Sequence, residues 1–317
     1  MATDLGVSTR ISIGEESTAG TGVSRTIGAR VLSVDLQQKR RYDVMETLES
    51  AMPGSGTSIL TQIMVEGTVE MPLCYAGNCL GMLLKHAMGS VSTTGAGPYA
   101  HAVTLGSSLP AGLTIAIERG TSALDEVLSG CKIRRLVIAC RAGERGRVTA
   151  DFVGMTGASR TTDTPAALSA LTAFFLAKHT HCGSLGWNGN SYAIREFTLT
   201  IDNNLARVDE VGTAASAEPA IAGMRSVTMD ITLISRSTNT LHAGHLAQTA
   251  ADATLTLTDS PRSLAITLHN AEIHELADPI SGHGVIEQRI KLVAHRDDSD
   301  GGLAVTLTNA DSSVVAS

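Results

Sequence analysis

The sequence predicts a mainly β fold, and three observations carry that prediction. Apolar and polar residues alternate over short runs in both halves of the chain, as they do in half-buried antiparallel strands. The polar residues in these runs are mostly Thr, which suits a strand whose second face is wet or meets a neighbour. Aromatic residues make up only 3% of the 317 residues, so the core must be built from Val, Leu, Ile and Ala.

The predicted strands outnumber the predicted helices. Asn78 is expected to cap a helix through Leu80–Ala87 that stops at Gly89. A weaker helical segment is Leu241–Ala250, and a third is expected from Thr164 to Phe175. The alternation is clearest in seven runs: Gly67–Leu73, Leu113–Arg119, Arg147–Val153, Phe197–Ile201, Val227–Leu233, Thr254–Thr258 and Leu264–Leu268.

The composition indicates a subunit that covers much of its surface with copies of itself. Charged residues are 17% of the chain, against an average of about 25% in soluble proteins. An Ala-rich codon usage in the host would explain the same composition. The net charge of −7 without a basic stripe argues against tight binding of phosphate backbones. The 5 Cys form no C-x-x-C pair, so we expect reduced thiols rather than disulfides or a zinc knuckle.

Neither a signal peptide nor a membrane span is expected. Met1–Arg10 lacks an apolar core. The longest apolar stretch, Ala166–Ala177, is too short to cross a bilayer. We therefore expect a soluble protein, without a membrane partner, that assembles where it is made.

Two long stretches without periodicity are predicted to be contact loops, Gln37–Ser58 and Asp202–Gly223. Loops of this length in a compact domain are usually functional or interfacial. A mobile solvent loop, and a solvated charge run at Lys39–Arg41, remain the plainer alternatives. The residues expected to make the contacts are Lys39, Arg40, Arg41, Tyr42, Asp43, Asn203, Asn204, Arg207 and Asp209.

The two halves of the chain share an order of predicted elements. In each, a strand leads into a long loop, an alternating strand, a helix, a strand pair and closing strands. This order predicts a duplication, with a first domain at 1–180 and a second at 190–317. Chance agreement between generic strand patterns is the alternative.

Motifs that carry chemistry are absent, so no enzyme and no cofactor is expected. The chain has no phosphate-binding loop, no H-E-x-x-H and no G-x-S-x-G. His179, His181 and Cys182 form a tight cluster of metal-ligand types, with the two histidines on one face if the segment is a strand, but no fourth ligand is spaced nearby. His242 and His245 fit one face of a surface helix.

Four acids occupy polar positions of predicted strands: Glu70, Glu118, Asp151 and Asp230. They are expected on the wet face of a sheet. A catalytic carboxylate pair is the alternative, although nothing in the sequence fixes the separation of two such groups.

Several blocks, taken in order, carry a resemblance to a known family. They are Ile13–Gly22, Gly67–Leu73 followed by Leu80–Gly89, Gly130–Ala139 with Gly146–Gly154, and Phe197–Asn204. From about Gly14 to Arg296 the chain resembles the tail tube (major tail) proteins of long-tailed, non-contractile bacteriophages. No single block is diagnostic, so the resemblance rests on their order.

The resemblance implies a β-sandwich or split barrel with flanking short helices, here duplicated. It implies rings that stack into a tube of the virion tail, assembled in the bacterial host cytoplasm, whose lumen conducts DNA. A tape measure protein and a tail terminator would be partners, and the family supplies no catalytic residue. A trimeric ring with pseudo-sixfold symmetry is favoured over a hexamer. The two loops would then join subunits or rings, and the four acids would line the lumen.

Other functions stay open from the sequence. The chain could be a different ring-forming or structural part, such as a tail terminator, a capsid decoration protein or a secretion-type tube. A carbohydrate-binding or hydrolytic β-protein is the remaining alternative.

Overall fold

The fold is known from a computed structural model, which describes residues 9–44, 57–119, 126–157, 166, 168, 177–236, 239–280, 283, 285–296 and 301–314. It confirms a mainly β chain with short helices. The elements of the first half are β1 (Arg10–Glu15), β2 (Ile27–Arg30), β3 (Ser33–Val34), β4 (Gln37–Val44), β5 (Ser58–Pro72), α1 (Leu80–Met88), β6 (Gly89–Thr94), β7 (Tyr99–Leu105), β8 (Leu113–Glu118), β9 (Glu126–Arg141), β10 (Arg147–Gly154) and β11 (Thr156–Gly157).

The second half follows a short 3₁₀ turn at His179–His181. Its elements are β12 (Leu185–Trp187), β13 (Asn190–Tyr192), β14 (Ile194–Asp202), β15 (Leu205–Val208), β16 (Ala217–Ile221), β17 (Ser226–Ile234), α2 (Leu241–Leu246), β18 (Ala251–Asp259), β19 (Arg262–Ala277), β20 (Glu287–Val293) and β21 (Leu303–Asn309).

An antiparallel sheet of eight strand positions runs across both halves, and the short β3 pairs with residues 69–70 of β5 on the same side as β4. Its order is β4-β5-β10-β9-β14-β17-β20-β19. One face is apolar and buried, as Phe197, Leu199 and Ile201 on β14 and their cross-strand partners illustrate. The other face is polar and partly exposed. We call this second face the open face.

Two further sheets cover the apolar face, and the long strands β9 and β19 connect the layers. Each of these strands has 16 residues. The first part of β9 belongs to the sheet β2-β1-β8-β9-β11. The first part of β19 belongs to the sheet β6-β7-β21-β19-β18-β12-β13. The later part of each strand then enters the eight-stranded sheet.

The pairing order of the first half recurs in the second. Within the eight-stranded sheet, β4-β5-β10-β9 is followed by β14-β17-β20-β19, and each set has the same chain order. In the covering sheets, β2-β1-β8-β9-β11 matches β13-β12-β18-β19-β21. Helices α1 and α2 follow β5 and β17, the equivalent strands. The two sets share the β9–β14 ladder, so they form one continuous sheet.

Backbone conformation fixes two positions in the first half. Gly67 has φ 151°, and a Cβ there would lie 2.0 Å from the carbonyl oxygen of Asp35, where the chain crosses between β3 and β4. Gly89 ends α1 with φ 105°, as the sequence predicts. The prediction that Asn78 caps the other end of the helix is wrong. Cys79 occupies the N-cap position, and the Asn78 side chain accepts a hydrogen bond from the Arg30 backbone amide instead.

The predicted contact loops are partly strands. Gln37–Val44 pairs with β5 along its whole length, and β15 pairs with β16 inside the second stretch. The structure also corrects the strand expected at His179 and His181, since these residues form a 3₁₀ turn. Pro53–Gly56 and nearly all of the third predicted helix lie outside the described residues.

Candidate assembly surfaces

The β4–β5 hairpin, which we call the arm, carries the predicted basic cluster. All of Lys39–Val44 is exposed. Lys39 pairs with Met64 and Arg41 with Gln62 across the hairpin. The arm has little hydrophobic periodicity because solvent reaches both of its faces, which is why the sequence pattern resembles a loop.

The second predicted contact segment packs against the arm. The Gln62 side-chain amide donates to Asp209 at 2.7 Å, and the Ile63 backbone amide donates to the Ala214 carbonyl at 2.7 Å. Arg207 forms an ion pair with the same Asp209 carboxylate. The structure therefore brings two separately predicted segments together into one surface, in which Gln62 is the link that the sequence did not reveal.

Exposed apolar side chains cluster on this surface. Tyr42 is 52% exposed, Val44 43% and Ile59 58%, all on the arm. Val211, in the turn between β15 and β16, is fully exposed. Apolar side chains grouped in this way mark interaction sites more often than plain solvent surface.

The open face of the eight-stranded sheet carries acids that are matched by bases. Glu70 and Asp151, two of the predicted lumen acids, are ion-paired with Arg147 and Arg134. Asp230 is exposed and lies directly opposite Lys291 on β20. Further pairs on or beside this face are Lys291–Glu275 at 3.1 Å, Arg195–Glu287 at 2.6 Å and Arg141–Glu196 at 3.9 Å.

The eight-stranded sheet has two open edges among the described residues. Strand β4 pairs only with β5, and residues 272–277 of β19 pair only with β20. Helix α2 contacts the β19 edge through His245, whose Nδ1 is 2.7 Å from the Ile273 carbonyl oxygen. Unpaired strand edges are templates for pairing with another chain, and natural proteins usually cover or pair them.

A model of the phage tail tube protein family matches residues 6–294. The chain belongs to the phage tail tube protein family. None of the curated proteins that were compared matches it.

Membership of this family makes the chain a structural component of the virion tail that assembles with copies of itself.

Two residues of the tail tube protein that were expected on exposed surfaces, one at a contact and one in the lumen, are buried within the chain instead. Asn203 is fully buried, and its amide donates to the carbonyls of Ala87 and Ile133. Its oxygen accepts from Arg225 at 2.8 Å. Asn203 therefore holds the end of α1 against β9 and is not available as a contact residue, whereas Asn204 beside it is exposed.

Glu118 is the second such correction. It is 3% exposed, forms an ion pair with Arg10 and accepts a hydrogen bond from Ser12. All residues of β8 are buried, so the alternating pattern of this strand does not indicate a wet face. Glu118 cannot line a lumen, because it lies in a covering sheet of the tail tube protein.

The histidines singled out in the sequence have local contacts. The Tyr75 hydroxyl lies 3.3 Å from His181 Nδ1, and the two rings stack. His179, His181 and Cys182 do not form a metal-ligand group among the described residues of the tail tube protein. No helix in the described part of the chain is long and apolar enough to span a membrane.

Proposed function

We propose that the chain polymerises as stacked rings, in which the eight-stranded sheets of neighbouring copies join edge to edge and their open faces line a channel. The observation that carries this proposal is the sheet itself, with two open edges and a polar, charge-paired face. The sheet has an even number of antiparallel strands, so β4 and β19 run in opposite directions. Joining β19 of one copy to β4 of the next therefore continues the antiparallel pattern.

Charge on the two edges supports the same joint. On the open face, β4 contributes Lys39 and Arg41, whereas the free segment of β19 contributes Glu272 and Glu275. Opposite charges on facing edges fix orientation and register more than they add affinity. A basic edge that meets an acidic edge favours head-to-tail closure into a ring.

The stagger of the sheet supports closure into a barrel. One row of paired residues connects the free segment of β19 to the end of β5: Glu275, Lys291, Asp230, Thr198, Ala139, Arg147 and Pro72. Strand β4 pairs instead with residues 58–66 of β5. The two edges are thus offset by about ten residues, which over eight strands corresponds to a strand tilt of about 40°, as closed barrels require.

The width of such a barrel favours three chains per ring. Three copies would give about 24 strands and a backbone diameter of about 48 Å at that tilt. Inward side chains would leave a channel of about 38 Å, which admits a single DNA duplex. Six copies would give about twice the diameter. The repeated strand order then makes the trimer pseudo-sixfold, as the predicted duplication over 1–180 and 190–317 implies. The second set of strands begins at β12, so this repeat starts at Leu185, before residue 190.

The arm and the β15–β16 segment that packs against it are proposed to join subunits or successive rings. Lys39, Arg40, Arg41 and Asp43 would contact charges on a neighbouring copy, while Tyr42 and the apolar side chains beside it would be buried there. Asn204, Arg207 and Asp209 belong to the same surface. This contact would be lost at a ring that does not stack, as in a tail terminator.

The lumen would conduct DNA without binding it tightly. Glu70, Asp151 and Asp230 would line the lumen together with the basic residues that face them. Because these charges are paired, the wall would neither attract nor repel the DNA phosphates strongly. Assembly in the host cytoplasm around a tape measure protein, with a terminator at the end, completes the proposal. No catalytic role is proposed, because membership of a structural family argues against one.

Polymerisation of the purified full-length chain tests this function. Sedimentation velocity and negative-stain microscopy are expected to show rings and tubes that increase with protein concentration. A strict monomer at high concentration, with no place in the tail, would contradict the proposal. A single ring that never stacks would point to a terminator, and hydrolysis of a polysaccharide that requires Glu70 or Asp151 would point to an enzyme.

A further inference from the structure

A group of two histidines and one carboxylate lies at the open edge of β19. It consists of Glu272, His274 and His295, whose ligand atoms all lie within 4.8 Å of one another. Histidine nitrogens and a carboxylate oxygen are the donor set that zinc-type ions take in proteins. The sequence does not reveal this group, because Glu272 and His295 are far apart in the chain.

Strand geometry brings the three side chains to one side. Glu272 pairs with Val293 across the ladder between β19 and β20. His295 follows two residues after Val293 and so continues on the same face. His274 sits at a register shift between Ile273 and Glu275, and a β-bulge of this kind re-aims a side chain. Both histidines are more than two-fifths exposed, so an ion in solution can reach them.

The separations fit a single ion. Glu272 Oε2 lies 3.5 Å from His295 Nε2 and 3.9 Å from His274 Nε2. Two ligands that are each about 2.0–2.1 Å from a tetrahedral zinc ion stand about 3.4 Å apart. The imidazole rings are tilted by 38°, with centroids 5.6 Å apart, so both Nε2 atoms can approach one point without stacking. Rotamer adjustments of the three exposed or half-buried side chains would complete the site.

The geometry points to a binding site for a zinc-type divalent transition metal, held by Glu272, His274 and His295 at the edge of the eight-stranded sheet. The three side chains leave one coordination position for water or for a ligand from a neighbouring copy. The hard ions Mg²⁺ and Ca²⁺ prefer oxygen ligands and are expected to bind weakly. This inference rests on the three side chains alone and does not depend on the proposed tube.

Zinc titration of the untagged, full-length chain tests the site. In competition with a chromophoric chelator, the wild type is expected to bind one Zn²⁺ per chain, with no competition from millimolar Mg²⁺. His274→Ala and His295→Ala are each expected to weaken binding by at least about tenfold, because loss of a ligand costs no less than loss of an outer partner. His242→Ala, which removes an exposed histidine from α2, is the matched control and should bind as the wild type does.

Cobalt provides a readout on the wild type that needs no substitution. A Co²⁺ complex is expected to give visible d–d absorption typical of low-coordinate imidazole ligation, and one equivalent of Zn²⁺ should abolish it. Absence of stoichiometric Zn²⁺ binding by the wild type would overturn the inference. Equal binding by the wild type, His274→Ala and His295→Ala would also overturn it.

Discussion

At the scale of residues, Arg225 joins three parts of the chain through one guanidinium group. Its Nη1 donates to the Gly106 carbonyl at 2.7 Å, its Nη2 donates to the Ala87 carbonyl at 2.9 Å, and its Nε donates to Asn203. These bonds satisfy a carbonyl in the last turn of α1, which otherwise has no partner within the helix. Burial lowers the pKa of Arg225, so the hydrogen bonds must offset a desolvation cost.

Removing this guanidinium is expected to destabilise the fold. Arg225→Ala removes one donor from the Asn203 oxygen and from the carbonyls of Gly106 and Ala87, of which Ala87 keeps the Asn203 amide, so the free energy of unfolding should fall by about 2–4 kcal/mol. Urea denaturation followed by circular dichroism measures the change. Arg289→Ala, on the exposed face of β20, is the control and should change stability by less than about 0.5 kcal/mol. Equal effects of the two substitutions would show that the Arg225 bonds contribute little.

His86 gives the chain a predicted dependence on pH. Its side chain is buried beside Glu15, with Nε2 3.3 Å from Oε1. Contact with His86 and Lys85 lowers the pKa of Glu15 to about 2. Burial lowers the pKa of His86 itself, although the contact with Glu15 opposes this shift. The folded chain therefore takes up a proton at His86 less readily than the unfolded chain does.

The sign of the pH effect follows from that difference. An unfolded histidine titrates near pH 6.5, so the free energy of unfolding should decrease as the pH falls below about 6.5, with a slope of at most about 1.4 kcal/mol per pH unit. His86→Gln cannot titrate and should flatten the dependence between pH 7 and pH 5. His242→Gln should keep the wild-type slope. Parallel curves for the wild type and His86→Gln, from denaturant melts at each pH, would contradict this prediction.

At the scale of elements, the alternating runs predicted strands such as β5, β8, β10 and β17, but they revealed neither the arm nor the burial of both faces of β8. β5, β10 and β17 follow the alternating runs, because each packs one face against the core. The arm has no buried face, so its sequence resembles a loop. β8 is buried on both faces, so its polar positions do not point to solvent. The long-range pairings that bring Gln62 to Asp209, or Glu272 to His295, leave no local signal in the sequence.

Reversing the charge of the arm is expected to block assembly without unfolding the chain. Lys39 and Arg41 are exposed and make no described ion pair, so Lys39→Glu with Arg41→Glu should shift the melting temperature by less than about 3 °C. The same change places acids opposite the acidic edge of β19, which should abolish rings or tubes in sedimentation velocity. Lys39→Arg keeps the charge and should polymerise as the wild type does. Normal tubes from the double variant would remove the arm and the β4 edge from the proposed contacts.

At the scale of the whole molecule, the mixed charge of the open face refines the idea of an acidic lumen. Net charge alone does not place acids on a surface, and the sequence could not show which strands lie side by side. In the sheet, Glu70 and Asp151 meet arginines from neighbouring strands. A channel lined in this way would present paired charges to DNA, with Asp230 and its opposite Lys291 following the same pattern.

The recurring pairing order has its largest consequence for ring symmetry. Each half supplies four adjacent strands, and a shared ladder joins the halves into one sheet. If copies join by the same kind of ladder, three chains place six similar four-strand units around the axis. The two edges that must meet, β4 and the free segment of β19, would then repeat the junction that β9 and β14 already form within one chain.

A cryo-EM reconstruction of the assembled tube tests this central claim most directly. We expect rings of three chains with pseudo-sixfold symmetry, about 24 inner strands and β4 paired with β19 of the next copy. It places Glu70, Asp151 and Asp230 on the lumen wall and the arm between subunits or rings. A ring of six chains, or a tube with the open face turned outward, would contradict it.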